Sequence, residues 1–275
     1  MAMIAAGLAL LATACGSKAP STPNANALAY VSLGDSYTAF PGSSNQINVP
    51  CLRSGQNYPH LVASALGYNL VDMSCSGATT TDFISAQNLG TAPQFVALNA
   101  KTRLVTVSIG ANNSQLSSLL LGGCVPFKSV TTTQNNPCEV STFAEAARAL
   151  QLLKPALITT YQAIRTKAPH ARIIVVGYPQ ILGNSGTCAK FPLASGDVAY
   201  VNTINTQLNN MVQQAAAAAG VEYLDIATPS MSHGICSSDP WINGTTMMSG
   251  KAFPLHPFAN EQQGVAALLE QLLKR

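Results

Sequence analysis

The chain has 275 residues, of which 47% are hydrophobic and only 9% charged, and its net charge is +3. An average soluble protein carries roughly 25% charged residues, so uncharged polar side chains cover much of this surface, as suits an exported protein. The small, scattered positive charge leaves no footprint for nucleic acid, and no Cys-x-x-Cys or His-rich spacing asks for a metal.

In chain order, the first segment is Met3–Ala14, apolar and closing as Leu11-Ala12-Thr13-Ala14-Cys15. It is too short to span a bilayer as a helix but has the length of a signal-peptide core. Small residues ahead of Cys15 resemble the lipobox of bacterial lipoproteins. That resemblance implies removal of residues 1–14 and acylation of Cys15, a cell-envelope lipoprotein, although no Lys or Arg precedes the run and Ala12 stands where leucine is usual; the alternative is a plain secretory signal and a secreted protein. Residues 15–27 then form the lipidated cysteine and a polar linker containing Pro20 and Pro23. Such a linker spans on the order of 20 Å as a flexible coil, which would hold a domain of residues 28–275 just off a membrane.

Within that domain, the apolar runs Tyr30–Leu33, Asn69–Met73, Leu104–Ile109, Ile173–Val176 and Tyr223–Ile226 read as buried strands. Helical spacing is clearest at Thr142–Lys167, Val198–Ala219 and Asn260–Lys274. The alternation predicts an α/β fold, a three-layer α/β/α sandwich around a five-stranded parallel sheet. Leu121–Cys138 and Ser230–Pro254 fit no element, and both hold cysteines. Cysteines stand at 15, 51, 75, 124, 138, 188 and 236. With Cys15 acylated, six remain, for which sequence alone allows fifteen pairings. The sequential set is expected: Cys51–Cys75, Cys124–Cys138 and Cys188–Cys236. The shortest of these loops is worth roughly 3 kcal/mol of chain entropy.

The chemistry lies where strands end. Gly34-Asp35-Ser36-Tyr37 puts a serine just past the first strand, at the mouth of a parallel sheet where ligands bind. Ser74-Cys75-Ser76-Gly77-Ala78-Thr79 follows the second strand and Ser108-Ile109-Gly110-Ala111-Asn112-Asn113 the third. Leu255-His256-Pro257 precedes the last helix. Serine, glycine, asparagine and histidine in this order resemble the SGNH (GDSL-type) hydrolase family over residues 28 to 275, and in particular its secreted actinobacterial esterase and lipase branch with three disulfides.

The resemblance implies a flavodoxin-like fold and hydrolysis of carboxylic esters without metal or cofactor, and the apolar composition and expected lipid anchor favour acyl esters of lipids. It makes Ser36 the nucleophile and His256 its general base, since an unassisted hydroxyl attacks poorly at neutral pH. The backbone N–H groups of Ser36 and Gly77 and the side-chain amide of Asn112 become the oxyanion donors. Most relatives carry an aspartate three residues before the histidine, where this chain has Phe253. The backbone carbonyl of Phe253, used at that place by some relatives, is then expected to accept from His256 Nδ1–H, with the carboxylate of Asp239 as the rival. Asn113 also departs from the family's more frequent aspartate. Asp35 is expected to hold its turn, Trp241 to anchor a loop, and His60, His170 and His233 to pack or face solvent. Other readings are a carbohydrate acetylesterase, a phospholipase A, or a non-catalytic envelope binding lipoprotein. Partners are expected to be an ester or lipid substrate and, through Cys15, a membrane.

Overall fold

A computed structural model describes residues 27–124 and 135–275. The leader, Cys15 and the linker to Asn26 lie outside the described residues, as does much of the expected loop Leu121–Cys138. The described elements begin with β1 (Ala29–Gly34), the short helix α1 (Ser36–Ala39), the strands β2 (Gln46–Asn48) and β3 (Arg53–Ser54), and α2 (Tyr58–Leu66). Then come β4 (Asn69–Asp72), β5 (Leu104–Ser108), α3 (Pro137–Lys167), β6 (Arg172–Val176), α4 (Asp197–Ala219), β7 (Glu222–Leu224) and α5 (Ala259–Leu273).

Five strands form one parallel sheet in the order β4-β1-β5-β6-β7. The chain thus adds β4 on one side of β1 and then crosses to build β5, β6 and β7 on the other. Right-handed crossovers place α2 on one face and α3 and α4 on the opposite one. Helix α5 returns to pack on α2. With both faces covered, the inner strands are buried without alternation: every residue of β5 is buried, and so are all but the first of β6. The expected strands all form, with ends shifted by a residue or two. The antiparallel pair β2–β3 and helix α2 were not among the clearest patterns, because β2 and β3 have only three and two residues.

Local chemistry sets the ends. Asn57 caps α2 by accepting the His60 N–H, and Gly67 closes it with φ 68°. The buried carboxylate of Asp197 accepts the N–H groups of Cys138 and Glu139 at 3.1 and 3.0 Å, satisfying donors at the first turn of α3. Disulfides join Cys51 to Cys75, Cys124 to Cys138 and Cys188 to Cys236, the sequential set. Among the described residues no helix is long and apolar enough to cross a membrane. Trp241 is buried, stacks on His233 at 4.6 Å and fills the space beside Gly264.

Candidate active site

The switch point of this sheet lies between β1 and β5, where open α/β folds form a crevice at the carboxyl ends of the strands. A cavity of about 330 Å³ opens there, and Ser36, Gly77, Asn112 and His256 all line it. Four residues spread along the sequence therefore meet at one place.

Ser36 starts α1 directly beyond β1. Its turn is held from several sides. Gly34, at φ 151°, leaves no room for a side chain, since a Cβ would meet Thr38 Oγ1 at 2.4 Å. The buried side-chain amide of Gln94 donates to the Gly34 carbonyl and accepts from its N–H, both at 2.8 Å. Asp35 accepts the Tyr37 N–H at 3.0 Å and the Tyr178 hydroxyl at 2.5 Å. Burial pushes the Asp35 carboxyl up to about 7, against the opposing pull of those two donors. Asp35 is thus a structural acceptor that holds the turn carrying Ser36, as its sequence position indicated.

Gly77 is exposed at the cavity with φ 82°, a left-handed conformation that favours glycine. Cys75, two residues earlier, is tied to Cys51. Asn112 Nδ2 donates to the Ala78 carbonyl at 3.0 Å, and its Oδ1 accepts from Ser117 at 2.9 Å. An amide nitrogen carries two hydrogens, so these contacts orient the group and leave one donor for a ligand. Asn113 joins the same two loops, donating to Thr80 Oγ1 at 2.8 Å and accepting the Thr80 N–H at 3.2 Å. The amide that replaces the family's aspartate therefore makes the local bonds itself.

His256 corrects one expectation. Its Nδ1 lies 2.7 Å from the carbonyl of Pro254, not that of Phe253. The Phe253 carbonyl is already occupied: it accepts the His256 main-chain N–H at 3.3 Å and Asn243 Nδ2 at 3.0 Å. Leu255, at φ 61°, turns the chain so that the ring reaches the carbonyl one residue later. Asp239 does not serve either, because its carboxylate faces His233 at 3.2 Å and Asn260 at 3.0 Å. A carbonyl only accepts, so Nδ1 holds the proton and Nε2 is left as a base. Burial lowers the His256 pKa from its ordinary value, partly offset by the Pro254 bond. Tyr37 stacks beside the ring at 6.1 Å, and its hydroxyl donates to the Leu255 carbonyl.

A serine, a tautomerically fixed imidazole and an amide with a spare N–H around one cavity are groups that acyl transfer from an ester uses. A model of the GDSL-like lipase/acylhydrolase family matches residues 32–260. The chain belongs to that family. It is accordingly a carboxylic ester hydrolase. Lipase 2 of Streptomyces coelicolor is 36% identical over 265 residues, covering 93% of this chain and 88% of the relative. The crystal structure of phospholipase A1 from Streptomyces albidoflavus NA297 is similar, with 30% identity and a TM-score of 0.73 over 89% of this hydrolase and 99% of that chain. The same figures hold for the extracellular lipase of Streptomyces rimosus.

Sequence reasoning missed Gln94, Tyr178 and Pro254 in this hydrolase. Gln94 and Tyr178 sit outside the four blocks, and only tertiary contacts bring them to the turn. Pro254 offers a main-chain atom, for which residue identity carries no signal. A second, apolar cavity adjoins the first: Tyr37, Ala111 and Ser117 line both, and Leu116, Leu120 and Leu208 are among the residues that complete it.

Proposed function

We propose that this hydrolase cleaves lipid acyl esters through an acyl-enzyme on Ser36, with His256 as general base. The observation that carries the reading is the convergence of Ser36, Gly77, Asn112 and His256 on one cavity at the switch point of the sheet. His256 Nε2 takes the hydroxyl proton as Ser36 Oγ bonds to the ester carbonyl carbon. The carbonyl π pair moves onto oxygen, facing the Ser36 and Gly77 N–H groups and Asn112 Nδ2. Collapse expels the alkoxide, which takes the proton from His256 and leaves as the alcohol. Water then repeats the sequence on the acyl-enzyme and releases the acid. The Pro254 carbonyl keeps the imidazole in the required tautomer throughout.

The lipase and the phospholipase A1 among its relatives support a lipid ester rather than an acetylated carbohydrate. Three disulfides and the leader fit export. Acylation of Cys15 would add a membrane anchor, which rests on sequence alone. Hydrolysis of p-nitrophenyl esters from acetate to palmitate, by wild type and Ser36→Ala, tests the reading. Loss of turnover in the variant and an optimum beyond acetate are expected. Residual turnover within tenfold of wild type would remove Ser36 from its role.

A further inference from the structure

Tyr178 follows β6, on the far side of β5 from the nucleophile's strand. Its main chain is clamped by Asn209 of α4, whose side chain accepts the Tyr178 N–H at 2.8 Å and donates to its carbonyl at 3.1 Å. Asn205, one turn earlier on α4, grips Ile181 and Pro179 in the same way. The ring then reaches across the carboxyl ends of the strands and packs edge-on to Tyr37 at 5.4 Å. At its tip, the hydroxyl donates to Asp35 Oδ2 at 2.5 Å and accepts the Ala111 N–H at 3.2 Å. Asp35 Oδ1 accepts the Tyr37 N–H, so donors from both loops converge on one carboxylate and link Ala111 through Tyr178 and Asp35 to Tyr37. Ser36 lies between the last two, and Asn112 follows the first.

We propose that Tyr178 is a positioning residue for ester hydrolysis, its hydroxyl fixing the turn that carries Ser36 against the loop that carries Asn112. The inference rests on the roles given to those two residues. Their separation matters only while negative charge grows on the substrate oxygen, so the hydroxyl supports the transition state more than substrate binding. Without it, the buried Ala111 N–H and one carboxylate oxygen of buried Asp35 lose their partner, and the two loops are free to drift apart. A misplacement near 1 Å costs about 100-fold in rate.

The test compares wild type, Tyr178→Phe, Asp35→Asn and the double variant, with Tyr161→Phe as control. Tyr161 is a fully buried tyrosine whose hydroxyl has no partner among the described residues. A fluorophosphonate probe counts reactive Ser36 in one aliquot, and p-nitrophenyl butyrate hydrolysis by an unlabelled aliquot gives KM and kcat per labelled site. In Tyr178→Phe, kcat per labelled site should fall about 10- to 100-fold with KM nearly unchanged, while Tyr161→Phe stays at the wild-type value. The double variant should be no slower than the slower single, because both changes break one chain. A hydroxyl that only supports folding would reduce the number of labelled sites and leave kcat per site within threefold, which overturns the proposal. Independent, multiplying effects of the two single changes overturn it as well. Absence of label on wild type removes the nucleophile's role, and the inference with it.

Discussion

Replacing Asp239 by asparagine separates a carbonyl-oriented histidine from a carboxylate triad. Loss of a triad carboxylate costs about 10⁴ in kcat, or about 5 kcal/mol of transition-state stabilisation. Here the Asp239 side chain is 67% exposed and pairs with His233, while His256 Nδ1 faces Pro254. An exposed ion pair is worth about 0–1 kcal/mol, and asparagine retains an oxygen for the bond from Asn260. Asp239→Asn should therefore keep kcat on p-nitrophenyl butyrate within twofold of wild type and lower unfolding stability by less than about 1 kcal/mol. Initial rates at saturating substrate, paired with urea unfolding, measure both. A 1,000-fold fall in kcat with unchanged stability would show that the carboxylate reaches His256 during turnover, and would refute the assignment to Pro254.

The pH profile should carry the mark of the same site. Only neutral imidazole accepts the Ser36 proton, and burial lowers the His256 pKa, so kcat/KM should fall on the acid side with a midpoint below 6.5. A limb centred near 7 would put the titration on Asp35 instead. Asn112→Ala should reduce kcat by about 100- to 1,000-fold, the cost of one lost oxyanion donor; a change below fivefold would exclude the amide from that role. Cys51→Ala with Cys75→Ala opens a loop of sequence separation 24, for which the chain-entropy relation gives about 3.5 kcal/mol. Urea unfolding that loses less than 1 kcal/mol would contradict it.

The sheet was legible because β1, β5 and β6 are buried along nearly their whole length, so their sequences are predominantly apolar and short on charge. The candidate site was legible as far as it is made of residues beside recognisable elements: Ser36, Gly77 and Asn112 follow strands, His256 precedes the last helix, and all four line one cavity. The partner of His256 was misplaced by one residue. A positive φ at Leu255 decides which carbonyl the ring meets, and leucine gives no sign of that conformation. Gln94 and Tyr178 were hidden for another reason. Their bonds to Gly34 and Asp35 span 60 and 143 residues of sequence, beyond the reach of any local pattern.

Those long spans also determine when the enzyme comes into being as the chain folds. Gln262, at the start of the last helix, holds the Tyr37 carbonyl beside the nucleophile across a separation of 225 residues and the Tyr58 N–H across 204. A chain whose decisive contacts are this distant folds slowly, because loops must close before the contacts reward them. Helices α3 and α4 can form and pair while the turn carrying Ser36 is still unsupported. Recovered turnover during refolding will therefore lag behind recovered helicity, and catalysis itself becomes the clock for the final docking of the carboxyl-terminal helix.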